Sequence, residues 1–264
     1  MARVLNEIGF VLHMIKLNLA GIMEYRASFV MQAVGMFINN GIYFVFWLLF
    51  FDRFQEIRGY EIEQIYLLFA IITLGWGLAF TTAGNAPQVA GLIAQGRLDY
   101  YLTLPRPVIL HLLFSRMDAF SMGDLTFGVV AYLLTGRYDP LSIALFLLCT
   151  VFAAVIFICF RATAGCLSFF VGNATQWAGH LSQMMVTFSL YPMGLFQGTM
   201  RLVLYTLIPA GFVGAVPVEI VETHNPALVG ALAGAALVSA AVLVLVFRLG
   251  LRRYESGSAI NVNI

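Results

Sequence analysis

The sequence predicts an all-α integral membrane protein with six transmembrane helices, an amino-terminal interfacial amphipathic helix, a cytoplasmic helical loop after the second span and an outer re-entrant helical hairpin before the last. Three observations predict it. Of 264 residues, 61% are hydrophobic and 10% charged, with a mean hydropathy of +0.91; that is too apolar for a soluble domain and long enough for six spans with short loops. The apolar residues fall in long stretches separated by short polar turns. Lysine and arginine are unequally shared between the two sets of turns, as the positive-inside rule requires of a multi-pass protein.

Residues 1–27 place Leu5, Ile8, Leu12, Ile15, Leu19 and Ile22 at steps of three and four, with Asn6, His13 and Glu24 on the other side. This is the pattern of a helix lying in the membrane interface, where Lys16 snorkels; Arg3, Glu7, Lys16 and Glu24 would make it a costly span. No compact apolar core followed by a small-residue cleavage site is present, so this helix is expected to stay in the mature protein. The spans follow at 28–51, 65–83, 108–136, 141–170, 177–191 and 228–247, all within one transmembrane domain, 1–264.

Between the second and third spans, residues 85–107 read NAPQVAGLIAQGRLDYYLTLPRP. Asn85 is a candidate helix cap, Val89, Leu92 and Ile93 share a face, and Gly96 stands where a left-handed terminator belongs. A second turn follows in which Leu98, Tyr101 and Leu102 repeat the spacing, with Arg97 and Asp99 turned away, before Pro105 and Pro107 stop it. The Leu98, Tyr101, Leu102 face has no span to pack against in such a loop and is expected to meet a partner. Residues 192–226 hold an apolar stretch broken by Pro209, Gly211, Gly214 and Pro217; a helical hairpin that dips into the outer leaflet and returns fits it better than a crossing. Gly230 and Gly234 give the last span a small-residue face expected to pack internally.

Only Arg53, Arg58, Arg137 and Arg201 fall on one side of this topology, and the other ten basic residues on the opposite side. The richer side is cytoplasmic, which places both termini and the 85–107 loop inside. A seventh crossing would move Arg248, Arg252 and Arg253 outside.

The net charge of +1 leaves no basic surface for nucleic acid. Cys149, Cys159 and Cys166 lie in one apolar stretch without CxxC spacing and read as core residues; His13, His111, His180 and His224 are scattered, so no metal site is expected. Lys16 is the only lysine, which excludes a phosphate-binding P-loop, and no hydrolytic motif appears, so the chain is not expected to be an enzyme. Polar groups inside spans are few. At about 1.5 Å per residue, Asp124 lies about 18 Å and Asp118 about 27 Å below the outer end of their helix, with Arg161 about 31 Å deep on the next. Asp118 is thus the expected partner of Arg161, while Asn39 and Asn40 share the depth of Asp124. Such groups mark either a pathway or an internal bond network; the network is the favoured reading.

The run from Gly96 to Arg116 resembles the Gly-Thr-Leu-Glu-x-Leu-Leu-x-x-Pro stretch of type-2 ABC transporter permeases. Gly96, Leu98, Asp99, Leu102 and Pro105 match its Gly, Leu, acidic residue, second Leu and Pro, while Arg97 replaces its Thr and Tyr101 its first Leu. Tyr191-Pro192, Ile208-Pro209-Ala210 and Arg252-Arg253-Tyr254-Glu255-Ser256 resemble features of one subfamily, similar to viologen and multidrug export permeases. The resemblance implies that 85–107 carries the coupling helix, which docks on an ATPase subunit, and that residues 1–27 form a connecting helix. It further implies an exporter of the bacterial inner membrane built from two ABC ATPase subunits and two permeases, the second a related but different chain. ATP and magnesium would sit on the ATPases, with no cofactor in this chain. The rival reading is a proton-coupled secondary transporter or channel that uses Asp124.

Overall fold

A computed structural model describes residues 2–255; Ser256 of the carboxy-terminal motif lies outside them. The described chain is helical, and no strand occurs among the described residues. Helix α1 (Ala2–Met23) is followed after a two-residue turn by α2 (Arg26–Arg53) and then α3 (Ile62–Thr82). The 85–107 loop, labelled the inner loop after its expected side, holds a 3-10 turn (Ala86–Gln88), α4 (Val89–Ala94) and α5 (Asp99–Leu102). Then come α6 (Val108–Phe114), α7 (Ser121–Leu133), α8 (Pro140–Gly165), α9 (Ser168–Val171) and α10 (Thr175–Ser189). The 192–226 segment forms α11 (Gly198–Thr206), α12 (Ala210–Val213) and α13 (Ala215–Thr223), and α14 (Pro226–Leu251) ends the fold.

Among the described residues, four stretches are long and apolar enough to cross a membrane: Arg26–Arg53, Ile62–Thr82, Pro140–Val171 and Pro226–Leu251. A fifth would be α11 with α12 and α13, were that pair one span, but it bends by 67° at its break. Helices α7 and α10 are shorter, about 20 and about 22 Å at 1.5 Å per residue. The six-span count therefore rests on two short helices as well as four long ones.

Helix α3 is the axis of the bundle: 78% of its most apolar window is buried, against 17% for both α2 and α14. The reason lies in one seam. A Cβ on Gly128 of α7 would sit 2.9 Å from the Leu74 Cα of α3, and one on Gly77 of α3 would sit 2.7 Å from the Leu125 N of α7. Backbones this close are open only to glycine, and the contact removes both helices from solvent over much of their length. The pairing of Leu74 with Gly128 and of Gly77 with Leu125 makes the two helices antiparallel. Around this seam Phe44, Phe69 and Phe127 meet edge to face, with centroids 5.3 and 5.7 Å apart, the arrangement ring quadrupoles favour.

Two contact groups define the ends of the bundle. At one end Gly194 lies against Arg58, Arg137 pairs with Glu222 at 3.3 Å, and Ser142 meets His224 at 3.2 Å. The 192–226 segment thus begins and finishes at the same end as the α2–α3 and α7–α8 turns. Asp139 caps α8 there, its Oδ2 accepting from the Ser142 N–H at 2.8 Å, and these bonds hold its carboxyl below the ordinary range. Burial, with Tyr205 and Glu222 beside it, pushes the Tyr60 phenol up to about 12, so it stays protonated under the 192–226 segment. At the opposite end lie the inner loop, α9 and the last turn of α14, where Phe169 meets Phe247 edge to face at 5.7 Å.

The structure corrects three expectations. The 108–136 span is not one helix: it breaks between α6 and α7, and the Asp118 carboxylate in the break accepts from the Phe120 N–H at 3.3 Å and the Ser121 hydroxyl at 2.9 Å, starting α7. An aspartate that bonds its own next backbone turn competes with helix continuation. Asn85 does stand at the N-cap position of the 3-10 turn, with Pro87 in its first turn, but its side chain makes no cap bond. Its amide Nδ2 lies 2.7 Å from the Leu112 carbonyl, 3.0 Å from the Ser115 hydroxyl and 3.2 Å from the Tyr101 hydroxyl, and its two N–H groups, shared among these acceptors, tie the two ends of the inner loop together. Finally, Gly230 and Gly234 have no heavy atom within 4 Å of where a Cβ would stand, so that face is bare rather than packed internally.

Candidate functional site

The inner loop is assembled in two steps. Val89, Leu92 and Ile93 bury one face of α4 against α8 and α9. Gly96, at φ 70°, then turns the chain in the left-handed region, and the Arg97 N–H reaches back to the Leu92 carbonyl at 2.9 Å, the longer bond of a Schellman end. The turn delivers Leu98 inward, where it is 0% exposed. Leu98 is therefore an anchor in the chain's own core, not part of a free docking face. Tyr101 is half-buried, its hydroxyl 3.0 Å from Ser115. What faces outward is Tyr100, 63% exposed, and Leu102, 41% exposed, with Arg97, Pro105 and Arg106 around them, while Asp99 is half-buried.

Two other elements brace this loop. Helix α1 lies along α6: Asn18 donates to the Phe114 carbonyl at 3.1 Å, Arg106 pairs with Glu7 at 3.4 Å, and the Arg106 guanidinium sits 4.9 Å over the Phe10 ring. From the carboxy-terminal side Tyr254 packs on Phe169 with centroids 5.9 Å apart. Burial, and the Asp99 carboxylate beside it, push the Tyr254 phenol up to about 12. The last helix is in this way connected to the turn that carries the exposed pair.

The polar groups in the helices form two separate sets. In the first, Asn40 of α2 donates through Nδ2 to Asp124 Oδ1 of α7 at 2.7 Å, and Asp124 is 3% exposed. Asn39, one residue earlier, lies on the exposed face of α2. In the second, Arg161 of α8 donates to the Ala178 carbonyl and, at 2.9 Å, to the Ser182 hydroxyl, both on α10. The expected pair of Asp118 with Arg161 does not form, because Asp118 is spent on the start of α7 while Arg161 points at α10. Equal depth did not mean a shared side of the helices.

Asp124→Asn is expected to keep the fold and most transport, since an amide oxygen still accepts from Asn40. Asp124→Leu, which strands the Asn40 amide, should cost about 1–3 kcal/mol. Thermal unfolding of the purified variants, read with transport, checks this; selective loss of transport in a stable Asp124→Asn would make the carboxylate a pathway group.

A third set was not singled out from sequence. Gln176, His180, Gln183 and Thr187 are all exposed on α10, and none of their side chains is hydrogen-bonded within the described residues. Their spacing of four, three and four residues puts them on one stripe, while Ala178, Ser182, Met185 and Ser189 form the buried side. The signal was available as a helical polar period inside a short, partly apolar helix. A helix with such a stripe does not present it to acyl chains, because unpaired amides and imidazole are costly there.

No group of three or more potential metal ligands occurs among the described residues, and Cys149, Cys159 and Cys166 are buried free thiols. No curated protein and no solved structure matches the chain. The family model described as ABC-2 family transporter protein matches residues 37–258, from the middle of α2 through the Tyr254 region. That stretch contains the inner loop with its anchored Leu98, both sets of paired polar groups and the α10 stripe, and the chain belongs to the ABC-2 transporter family, the type-2 ABC permeases.

Proposed function

We propose that this chain is the permease subunit of an ATP-driven exporter. Permeases of its family work in general with ABC ATPase subunits. In this reading the short helices α7 and α10 are spans three and five, completing six, and the 192–226 segment is an outer re-entrant hairpin, a reading supported by its beginning and finishing at one end of the bundle. Both termini and the inner loop are cytoplasmic, in the inner membrane of a bacterial cell. Two ATPases and a second, related permease complete the complex, and hydrophobic or cationic substrate follows the α10 stripe between the permeases. The bare apolar face of α1, with Ile8 51% and Leu12 62% exposed, lies on the bilayer surface.

The observation that carries the reading is the inner loop: an exposed aromatic and aliphatic pair held on a turn whose neighbour Leu98 is locked in the core. A solvated loop gains nothing from such a pair, whereas a partner groove does. When the ATPases close, a turn anchored in this way moves as a rigid body and carries α4, α9 and α14 with it. The test is ATP-dependent uptake into inverted vesicles containing this chain and an ABC ATPase that co-purifies with it. Uptake that survives loss of the ATPase and collapses with the proton gradient would instead favour Asp124 as a proton site, a reading its enclosed bond to Asn40 disfavours.

Orientation has its own check. The native thiols are buried, so single cysteines report on a quiet background. Arg58→Cys should react with an impermeant maleimide added outside intact cells, and Gln95→Cys should react only after lysis. A tag at Gly257, a position outside the described residues, should follow Gln95; labelling it from outside would mean seven crossings and no re-entrant hairpin.

A further inference from the structure

A cavity of about 740 Å³ opens on the side of the bundle between the second half of α8, the middle of α14 and the 205–212 turn that joins α11 to α12. Phe160, Leu167, Ile208, Phe212 and Val238 stand in its wall together with Leu181 of α10. Its hydroxyls offer little to a polar ligand: Thr206 donates to the Leu202 carbonyl and Ser239 to the Ala235 carbonyl, both at 2.8 Å. Thr163 is the one lining serine or threonine without such a bond among the described residues. The rim is apolar too, with Leu207 73% and Val238 63% exposed.

Depth decides what fills this space. Ala235 and Val242 lie about 14 and about 24 Å along α14 from Pro226 at 1.5 Å per residue, from the midplane into the far half of a hydrocarbon core about 30 Å thick. A water at that depth would lack the two to four polar partners it needs, and an empty void would forfeit the dispersion contacts of its lining. The volume falls in the range of about 300–1,000 Å³ that holds one ligand-sized molecule, which suits one hydrocarbon chain and not a whole phospholipid.

We propose that this cavity is a binding site for a single acyl chain of a bilayer phospholipid, inserted sideways beneath the tip of the 192–226 segment. The chain packs on Leu207, Ile208 and Pro209, where the backbone breaks between α11 and α12, so its presence fixes the 67° bend there. The site rests on the membrane placement above but not on ATP-driven transport.

The test uses the full chain in nanodiscs of phosphatidylcholine carrying a diazirine in mid-chain, irradiated and mapped by mass spectrometry. Label is expected to be enriched several-fold on peptides 205–212 and 235–242 over the equally lipid-facing Ile38 and Ile42 of α2. Two variants that fill the cavity, Ser239→Phe and Ala235→Phe, should lose the label at 205–212 and keep that on α2. Equal labelling of the cavity and α2 in the native protein would mean annular lipid only and overturn the proposal, whatever the variants do. Unchanged labelling at 205–212 in a folded filled variant would overturn it as well. Because no ATPase is present, neither failure bears on the transport reading.

Discussion

Tyr100→Asp and Leu102→Asp are expected to leave the permease folded and release the ATPase, whereas Leu98→Asp should lose the fold itself. The three residues lie within one turn and a half, but the structure separates them. Leu98 is fully enclosed, and an unpaired carboxylate there carries a desolvation cost beyond the range of ordinary substitutions, above about 4 kcal/mol. Tyr100 and Leu102 are exposed in the isolated chain, so a carboxylate costs nothing until a partner covers it. At the centre of an interface each change should then weaken docking by about 2 kcal/mol or more, roughly thirtyfold. Gel filtration reports the fold, and co-purification of the ATPase with substrate-stimulated ATP hydrolysis reports docking. Retention of the ATPase with normal stimulation by both exposed-site variants would remove the loop as the coupling element, and with it the main support for the exporter reading. A folded, active Leu98→Asp would show that the anchor is misplaced.

Gly123→Val should be the most damaging single change in the helices. A Cβ at this position of α7 would stand 2.7 Å from the Met36 Cβ and 2.8 Å from the Phe37 N of α2, and it would also overlap the Ala33 carbonyl oxygen. Backbone atoms on a helix do not swing aside, so α2 must move as a body. Overpacking of this kind costs about 3 kcal/mol or more. The next residue is Asp124, so the same displacement pulls Asn40 out of hydrogen-bonding range, and the two losses couple. Gly35→Val is the matched control: the same size change on α2, at a position with nothing within 4 Å, should leave stability unchanged. The measurement is thermal stability in detergent by fluorescence-detected gel filtration. Equal stability of the two variants would mean that α2 does not pack on α7 at this glycine.

The polar groups show how far a one-dimensional reading reaches. Counting residues from a helix end gives depth, and depth alone puts Asn40 level with Asp124 and Asp118 near Arg161. Bonding also needs the two side chains to point at each other. Asn40 and Asp124 do, because α2 and α7 meet at Gly123 with those faces inward. Arg161 points instead at Ala178 and Ser182 of α10, and Asp118 folds back on Ser121. Rotation about a helix axis relative to a particular neighbour is set by packing and has no sequence period of its own.

By itself the sequence determined that this is a helical membrane protein, where its apolar stretches and breaks fall, and which motif carries the family resemblance, since these depend on composition, local backbone chemistry and residue order. It also contained the α10 stripe, which needs only helical spacing to be seen. The tertiary structure alone decided that Leu98 is an anchor while Tyr100 and Leu102 are free. It alone decided that Asn85 ties the loop together and that the 108–136 stretch breaks at Asp118. An amphipathic period states that a face must be covered, but whether the cover is the chain's own α8 and α9 or another protein depends on where distant segments come to rest, and that is fixed by the energy of the whole packed bundle.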